Sequence, residues 1–242
     1  MPITLQVFLY GLVTALATGL GAVPFAFARS IAPKAVAQAH AVAAGLMLGA
    51  SFGLVAEGTR YGSWQTLGGA VVGVVFILLT EMLLRRQDIG VARVRGAGAR
   101  RMLLVMIVMT VHSFSEGVAV GVSFGGGMTL ALVIVAAIAI HNIPEGLAIS
   151  AVLRPEGVGV WRCAGWSIVS SLPQPVMAVP AFLLVETFSR LLPYGIGFAA
   201  GAMIFMVFEE ILPEAYHDER RHPVAVTVTV TLLAMLIFQQ YL

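Results

Sequence analysis

Two short segments of the chain are similar to each other and carry side chains suited to chemistry. They are HSFSEGVAVG at 112–121 and HNIPEGLAIS at 141–150. Each has a histidine and, four residues later, a glutamate that is followed by glycine. Residues four apart lie on the same face of a helix, so each helix would present one imidazole and one carboxylate in the same direction. The residues concerned are His112, Glu116, His141 and Glu145.

Two neutral imidazoles and two carboxylates form a four-ligand set of two nitrogens and two oxygens. Such a set suits Zn²⁺, and Fe²⁺ or Mn²⁺ can also occupy it. The two carboxylates would balance the charge of a dication, and binding would displace protons, so the affinity should fall as the pH drops. A His/Glu pair can also be a hydrogen-bond clamp between helices or a proton relay. Two matched pairs favour the metal site, because the matched geometry is what a metal needs.

The rest of the chain is too apolar for a soluble protein. Of its 242 residues 59% are hydrophobic and 11% are charged, whereas a soluble domain has about 25% charged residues. No Lys or Arg precedes Arg29, so the N-terminal apolar run is expected to be a retained span rather than a cleaved signal peptide. The single cysteine, Cys163, excludes a cysteine-rich metal site.

Apolar runs long enough to cross a membrane occur throughout the sequence. A hydrocarbon core about 30 Å thick takes roughly 20 helical residues. We predict an all-α membrane protein with one transporter domain, 1–242, and eight transmembrane helices. The predicted spans are about 5–28, 37–57, 66–84, 102–123, 129–151, 162–185, 193–213 and 223–241. The Arg/Gly stretch at 85–101 is predicted to be a polar loop without regular structure.

Basic residues predict the orientation of the spans. All of the fourteen Lys and Arg residues except Arg60 and Arg190 fall in loops on one side of the predicted membrane. The positive-inside rule makes that side, with the 85–101 loop, cytoplasmic and places both termini outside.

The predicted spans place both motifs at the same depth. His112 lies roughly 15 Å into the fourth span and His141 roughly 18 Å into the fifth, which runs the opposite way. An acidic residue at such a depth costs about 2.5–3.5 kcal/mol on the insertion scale, and a bound dication would offset that cost. Like motifs on antiparallel neighbours form an inverted repeat, in which transporter sites are often built.

These features favour transport of a divalent metal ion over other functions. A membrane-embedded metalloenzyme that uses the same His/Glu site is the alternative, although no HExxH motif is present. A proton-coupled receptor or channel is a third interpretation. The sequence contains no nucleotide-binding P-loop, and we expect neither an organic cofactor nor a nucleic-acid partner.

At these motifs the chain resembles the ZIP family of metal transporters (Zrt-, Irt-like proteins), and the resemblance covers essentially the whole length. HNIPEG at 141–146 resembles the fifth span of the family and HSFSEG at 112–117 the fourth. GLMLGASFGLVAEG at 45–58 resembles the second, SSLPQPVMAVPAF at 170–182 the sixth, and AGAMIFMVFEEILPEA at 200–215 the seventh.

The resemblance implies a homodimer in a lipid bilayer that takes up metal toward the cytoplasm. The implied metal-binding residues are His112, Glu116, His141 and Glu145, with Met47 nearby. Many relatives hold a second metal beside the first, but three of the corresponding positions here are the neutral Ser113, Asn142 and Gln174. We therefore expect one strong site, with Asn142 and Gln174 as orienting or transient oxygen donors.

The inner end of the seventh span is rich in charged residues. As a set they form either a solvated helix end or an exit path for metal; the candidates are Glu209, Glu210, Glu214 and His217. Zn²⁺ is the expected substrate, with Fe²⁺, Mn²⁺, Cd²⁺ or Co²⁺ possible. Thirteen arginines against one lysine suggest a GC-rich bacterial genome and therefore a bacterial inner membrane.

Overall fold

The structure is a computed structural model of the 242-residue chain that describes residues 1–28, 30–86, 97–217 and 221–241. This described part is built from helices and contains no β-strand. The α-helices are α1 (Ile3–Leu20), α2 (Pro24–Phe27), α3 (Pro33–Arg86), α4 (Ala97–Gly125), α5 (Met128–Leu153), α6 (Val160–Ser171), α7 (Pro173–Thr187), α8 (Leu192–Met206), α9 (Leu212–His217) and α10 (Arg221–Gln240). A π-helical segment, Val207–Ile211, joins α8 to α9.

Seven helical segments within the described ranges are long and apolar enough to cross a membrane. Helices suit this solvent because each satisfies its own backbone hydrogen bonds where no water is available. Many large apolar side chains face outward, and in α10 only 11% of the most apolar window is buried in the protein. The chain is therefore a multi-pass membrane protein, and the prediction of an all-α membrane fold is confirmed.

The longest segment, α3, folds back on itself at Gly62. The backbone of Gly62 is not helical (φ 166°, ψ 110°). A Cβ atom on Gly58 would lie 2.9 Å from the side chain of Thr66, although eight residues of a straight helix rise about 12 Å. The two arms of α3, 33–61 and 63–86, therefore form a helical hairpin.

A short glycine turn sets α4 and α5 side by side. Only Gly126 and Gly127 separate the two helices, and Gly127 adopts a positive φ of 112° that L side chains rarely adopt. So short a connection leaves the helices antiparallel neighbours, and it brings the two His/Glu motifs to facing positions.

Each predicted span overlaps helical residues of the structure, but the span at 5–28 covers two helices, α1 and α2, and the span at 162–185 covers α6 and α7. The 85–101 segment is partly helical, because α3 extends to Arg86 and α4 begins at Ala97. The remainder of the predicted loop, 87–96, lies outside the described residues.

Candidate metal site

The four side chains of the two motifs converge in the interior between α4 and α5. His141 Nε2 lies 2.6 Å from Glu116 Oε1, and His112 Nε2 lies 3.1 Å from Glu145 Oε1. The distances within each motif are longer: 3.6 Å from His112 Nε2 to Glu116 Oε1 and 3.9 Å from His141 Nε2 to Glu145 Oε1. Each imidazole therefore contacts the carboxylate of the other helix more closely than its own.

These distances fit the coordination sphere of a small dication. Ligand atoms around four-coordinate zinc lie about 3.3–3.6 Å apart, given tetrahedral metal–ligand bonds of about 2.0–2.2 Å. The nitrogen–oxygen separations here range from 2.6 to 3.9 Å, and ligand atoms of His112, Glu116 and Glu145 all lie within 4.8 Å of one another.

Burial leaves several polar atoms of these side chains without a hydrogen bond. All four side chains belong to residues that are at most 5% exposed. His112 Nε2 and Glu145 Oε1 face each other at 3.1 Å without the geometry of a hydrogen bond, and Nδ1 of both histidines is buried without a hydrogen bond. Unpartnered polar groups are costly in a low-dielectric interior. A cation held between the Nε2 atoms of the two histidines and the carboxylates would satisfy these nitrogen and oxygen lone pairs together.

The positions of Asn142 and Gln174 beside Glu116 are set by hydrogen bonds. The Gln174 amide donates to Glu116 Oε2 at 2.6 Å. Asn142 donates to Gln174 Oε1 at 3.2 Å and to the backbone oxygen of Thr14 at 2.8 Å. Ser113 is buried. The participation of the α1 backbone could not be inferred from side-chain types, because any residue has a carbonyl group.

The remaining candidate residues are Met47 and the charged residues after α8. Met47 is fully buried in the apolar core on the first arm of α3, and its contact with an ion stays a prediction. Glu210 approaches the site, with Oε2 3.8 Å from Nδ1 of His112 and its side chain 24% exposed. Glu209, Glu214 and His217 are exposed.

The π-helical segment, which the sequence did not predict, contains Glu210. Five residues, Val207–Ile211, adopt this form between α8 and α9. The wider turn changes the direction in which side chains leave the helix, and such segments occur frequently at functional sites. Two adjacent glutamates inside an apolar run were the only sequence feature that pointed to this place.

Comparison with known proteins identifies the family of this chain. The family model described as ZIP zinc transporter matches residues 87–238. A candidate zinc transporter of Arabidopsis thaliana is 46% identical over 233 residues, covering 95% of this chain and 38% of that protein. The zinc transporter GufA of Myxococcus xanthus is 32% identical over 219 residues, covering 83% of this chain and 84% of that protein.

The relatives differ in length from this chain. The human zinc transporter ZIP11 is 36% identical over 133 residues, which is 50% of this chain and 37% of that protein. The matched region thus spans less than two fifths of the plant and human relatives and most of GufA. The family model covers well over half of the chain, and the resemblance predicted from the two His/Glu motifs is confirmed. This chain belongs to the ZIP zinc transporter family.

Proposed function

We propose that this chain transports a divalent transition metal ion, with Zn²⁺ as the best-supported substrate, across the membrane toward the cytoplasm. The ion passes through a mid-membrane position between His112, Glu116, His141 and Glu145. One observation carries the proposal: two buried imidazoles and two buried carboxylates from two antiparallel membrane helices converge, with nitrogen–oxygen distances of 2.6 and 3.1 Å between the helices. The names of the relatives support zinc as the substrate.

The ion exchanges with protons at the site. Zinc binds neutral imidazoles and ionised carboxylates, so its arrival displaces any protons on these groups. The donor set also accepts Fe²⁺, Mn²⁺, Cd²⁺ and Co²⁺, since first-row and related divalent ions share these ligands. Selection among them then depends on geometry and availability.

Glu210 is the first residue of the proposed exit path. Its Oε2 lies 3.8 Å from the buried Nδ1 of His112 and its side chain is partly exposed, so it links the buried site to more accessible residues. Glu214 is about one helical turn further on, and Glu209 and His217 complete the proposed path. An ion that leaves Glu145 and Nε2 of His112 would meet Glu210 on the Nδ1 side of the same imidazole.

The hairpin in α3 supports eight membrane crossings. Its two arms turn one long apolar segment into two crossings, and an even number of crossings places both termini on the same side. The distribution of basic residues favours the outside. A single transmembrane domain over 1–242, a homodimer and a bacterial inner membrane are further proposals that rest on the sequence and the resemblance.

Uptake of radioactive zinc into proteoliposomes tests the proposal. Wild type should accumulate zinc, and His141→Ala and Glu145→Ala should not. Ser150→Ala is the matched control, because Ser150 is a buried polar residue of α5 outside the proposed site. Zinc uptake that survives both site substitutions would show that the site is wrong. Chemical turnover without metal flux would indicate the metalloenzyme, which family membership does not support, and proton flux alone would indicate a relay.

A further inference from the structure

The two glutamates of the site are held in different ways. Glu116 is engaged at both oxygens: Oε1 lies 2.6 Å from His141 Nε2, and Oε2 accepts the amide hydrogen of Gln174 at 2.6 Å. Glu145 Oε1 lies 3.1 Å from His112 Nε2, although this contact lacks the geometry of a hydrogen bond. Glu116 therefore has an amide donor in addition to its histidine contact, and this donor fixes the orientation of its carboxylate.

The hydrogen bonds that lead to Glu116 have a defined direction. The amide nitrogen of Asn142 donates to two oxygens, the backbone oxygen of Thr14 and Oε1 of Gln174. A flipped Asn142 would bring its own oxygen against both acceptors, so only one orientation is satisfied. With Oε1 of Gln174 turned toward Asn142, the nitrogen of Gln174 must face Glu116. The backbone oxygen of Thr14 in α1 thus determines the direction of every hydrogen bond in this series.

We propose that Gln174 is a positioning residue that holds Glu116 with Oε1 toward the ion, and that Asn142 fixes the orientation of Gln174. We call the chain of hydrogen bonds Thr14–Asn142–Gln174–Glu116 the amide relay. This inference rests on the proposed function and specifies how one ligand is oriented. The amide nitrogen of Gln174 is a donor and cannot bind a cation, and it is this nitrogen that faces Glu116, while the oxygen is turned toward Asn142. In this orientation Gln174 acts on the ion through Glu116.

The amide relay also satisfies most of the polar atoms on two fully buried neutral side chains, Gln174 and Asn142. Both polar atoms of Gln174 and the nitrogen of Asn142 are hydrogen-bonded, as buried amides generally are, whereas Asn142 Oδ1 has no hydrogen-bond partner. A hydrogen bond from an amide to an ionised carboxylate is among the stronger ones in proteins. The relay consequently keeps Glu116 oriented before the ion arrives, so less side-chain ordering is needed on binding.

Zinc binding to the purified full-length chain tests the amide relay. The replacement Gln174→Met removes the donor with little change in volume, and the zinc affinity should fall by about 10- to 100-fold, the value of one hydrogen bond to a charged group. Asn142→Leu should also lower the zinc affinity. Because both substitutions act through Glu116, the double variant should bind zinc at most about threefold more weakly than the single variant that binds it more weakly.

X-ray absorption at the zinc edge supplies a readout that general destabilisation would not produce. In Gln174→Met the zinc should keep two imidazole ligands, with a change confined to the oxygen shell. The matched control is Ser170→Ala, because Ser170 is also buried near the start of α7 and bonds only to the backbone oxygen of Ser167. Its zinc affinity should equal that of wild type. Circular dichroism during heating checks that each variant is folded.

The variant Gln174→Glu distinguishes two possible roles of Gln174, positioning Glu116 and binding the ion. If Gln174 bound the ion through its oxygen, Gln174→Glu would bind zinc as tightly as wild type or would bind a second ion. The amide relay predicts weaker binding of a single ion, because Gln174→Glu removes the donor to Glu116 and adds a like charge. Wild-type affinity in Gln174→Met or a second ion in Gln174→Glu would overturn the inference.

Two further measurements distinguish a failure of the amide relay from a failure of the proposed function. In wild type with isotope-labelled glutamine, zinc should not shift the side-chain carbonyl bands in infrared difference spectra to lower frequency; such a shift would show that a glutamine oxygen binds zinc. His141→Ala serves as the test of the site itself. Normal zinc binding in His141→Ala would refute the proposed function, whereas its loss together with unchanged binding in Gln174→Met would refute only the amide relay.

Discussion

Gly117 lies where α7 packs against α4 beside Glu116, and it has no room for a side chain. A Cβ atom at this position would lie 2.6 Å from the backbone oxygen of Gln174 and 2.9 Å from its Cα atom. Ordinary van der Waals contact begins at 3.4 Å. The substitution Gly117→Ala must therefore separate the two helices locally by about 0.8 Å, because backbone atoms cannot turn aside as a flexible side chain can.

That separation would act on the orientation of Glu116. The hydrogen bond from Gln174 to Glu116 is 2.6 Å long, and an added ~0.8 Å would bring it to about 3.4 Å, beyond the usual range of an N–H···O bond. No metal-binding atom is removed. We expect the zinc affinity to fall by at least about tenfold and the free energy of unfolding to decrease by about 1–3 kcal/mol, as for other overpacked interiors.

Calorimetric titration with zinc in lipid nanodiscs measures this effect. The matched control is Gly165→Ala in α6, because a Cβ atom on Gly165 would meet no other atom within 4 Å. Alanine also favours the helix over glycine by about 1 kcal/mol, so this variant should bind zinc normally and be equally or slightly more stable. If Gly117→Ala binds zinc within about twofold of wild type, the close approach of α4 and α7 does not orient Glu116.

Three further predictions concern the pH, the exit path and the topology. Zinc affinity should fall by at least about tenfold between pH 8 and pH 5.5, because protons compete for the imidazoles and carboxylates; a flat profile in titrations across this range would contradict the site. Glu210→Gln should slow zinc uptake while changing the zinc Kd by less than about fivefold, as expected for a partly exposed charge; an unchanged uptake rate would argue against the exit path, and Glu57→Gln is the control. In a Cys163→Ala background, impermeant thiol reagents should label Arg60→Cys and Arg190→Cys from outside but should not label Lys34→Cys or Glu156→Cys. The opposite pattern would reverse the orientation.

The residue types of the metal site and their shared helix faces could be predicted from the sequence. The i, i+4 spacing of His112 with Glu116 and of His141 with Glu145 follows from the helical repeat alone. The cross-helix pattern, in which His141 lies closer to Glu116 than to Glu145, could not be predicted. It depends on how the two helices are rotated about their axes, and packing determines that rotation.

Other features depend on contacts between distant parts of the chain. The Asn142–Gln174 hydrogen bond and the Thr14 backbone oxygen come from α5, α7 and α1, so no local pattern contains them. The turn at Gly62 falls in the gap between the predicted spans 37–57 and 66–84, where glycine and polar residues interrupt the apolar run. The wider turn that contains Glu210 was missed, because a π-helical insertion has no characteristic residue pattern.

Anomalous X-ray scattering from crystals of the zinc-bound protein tests the central claim most directly. We predict one zinc peak per chain, bonded at about 2.0–2.2 Å to Nε2 of both histidines and to oxygens of both glutamates. These residues are His112, His141, Glu116 and Glu145. A zinc peak elsewhere, with these four side chains still bonded to one another, would contradict the account.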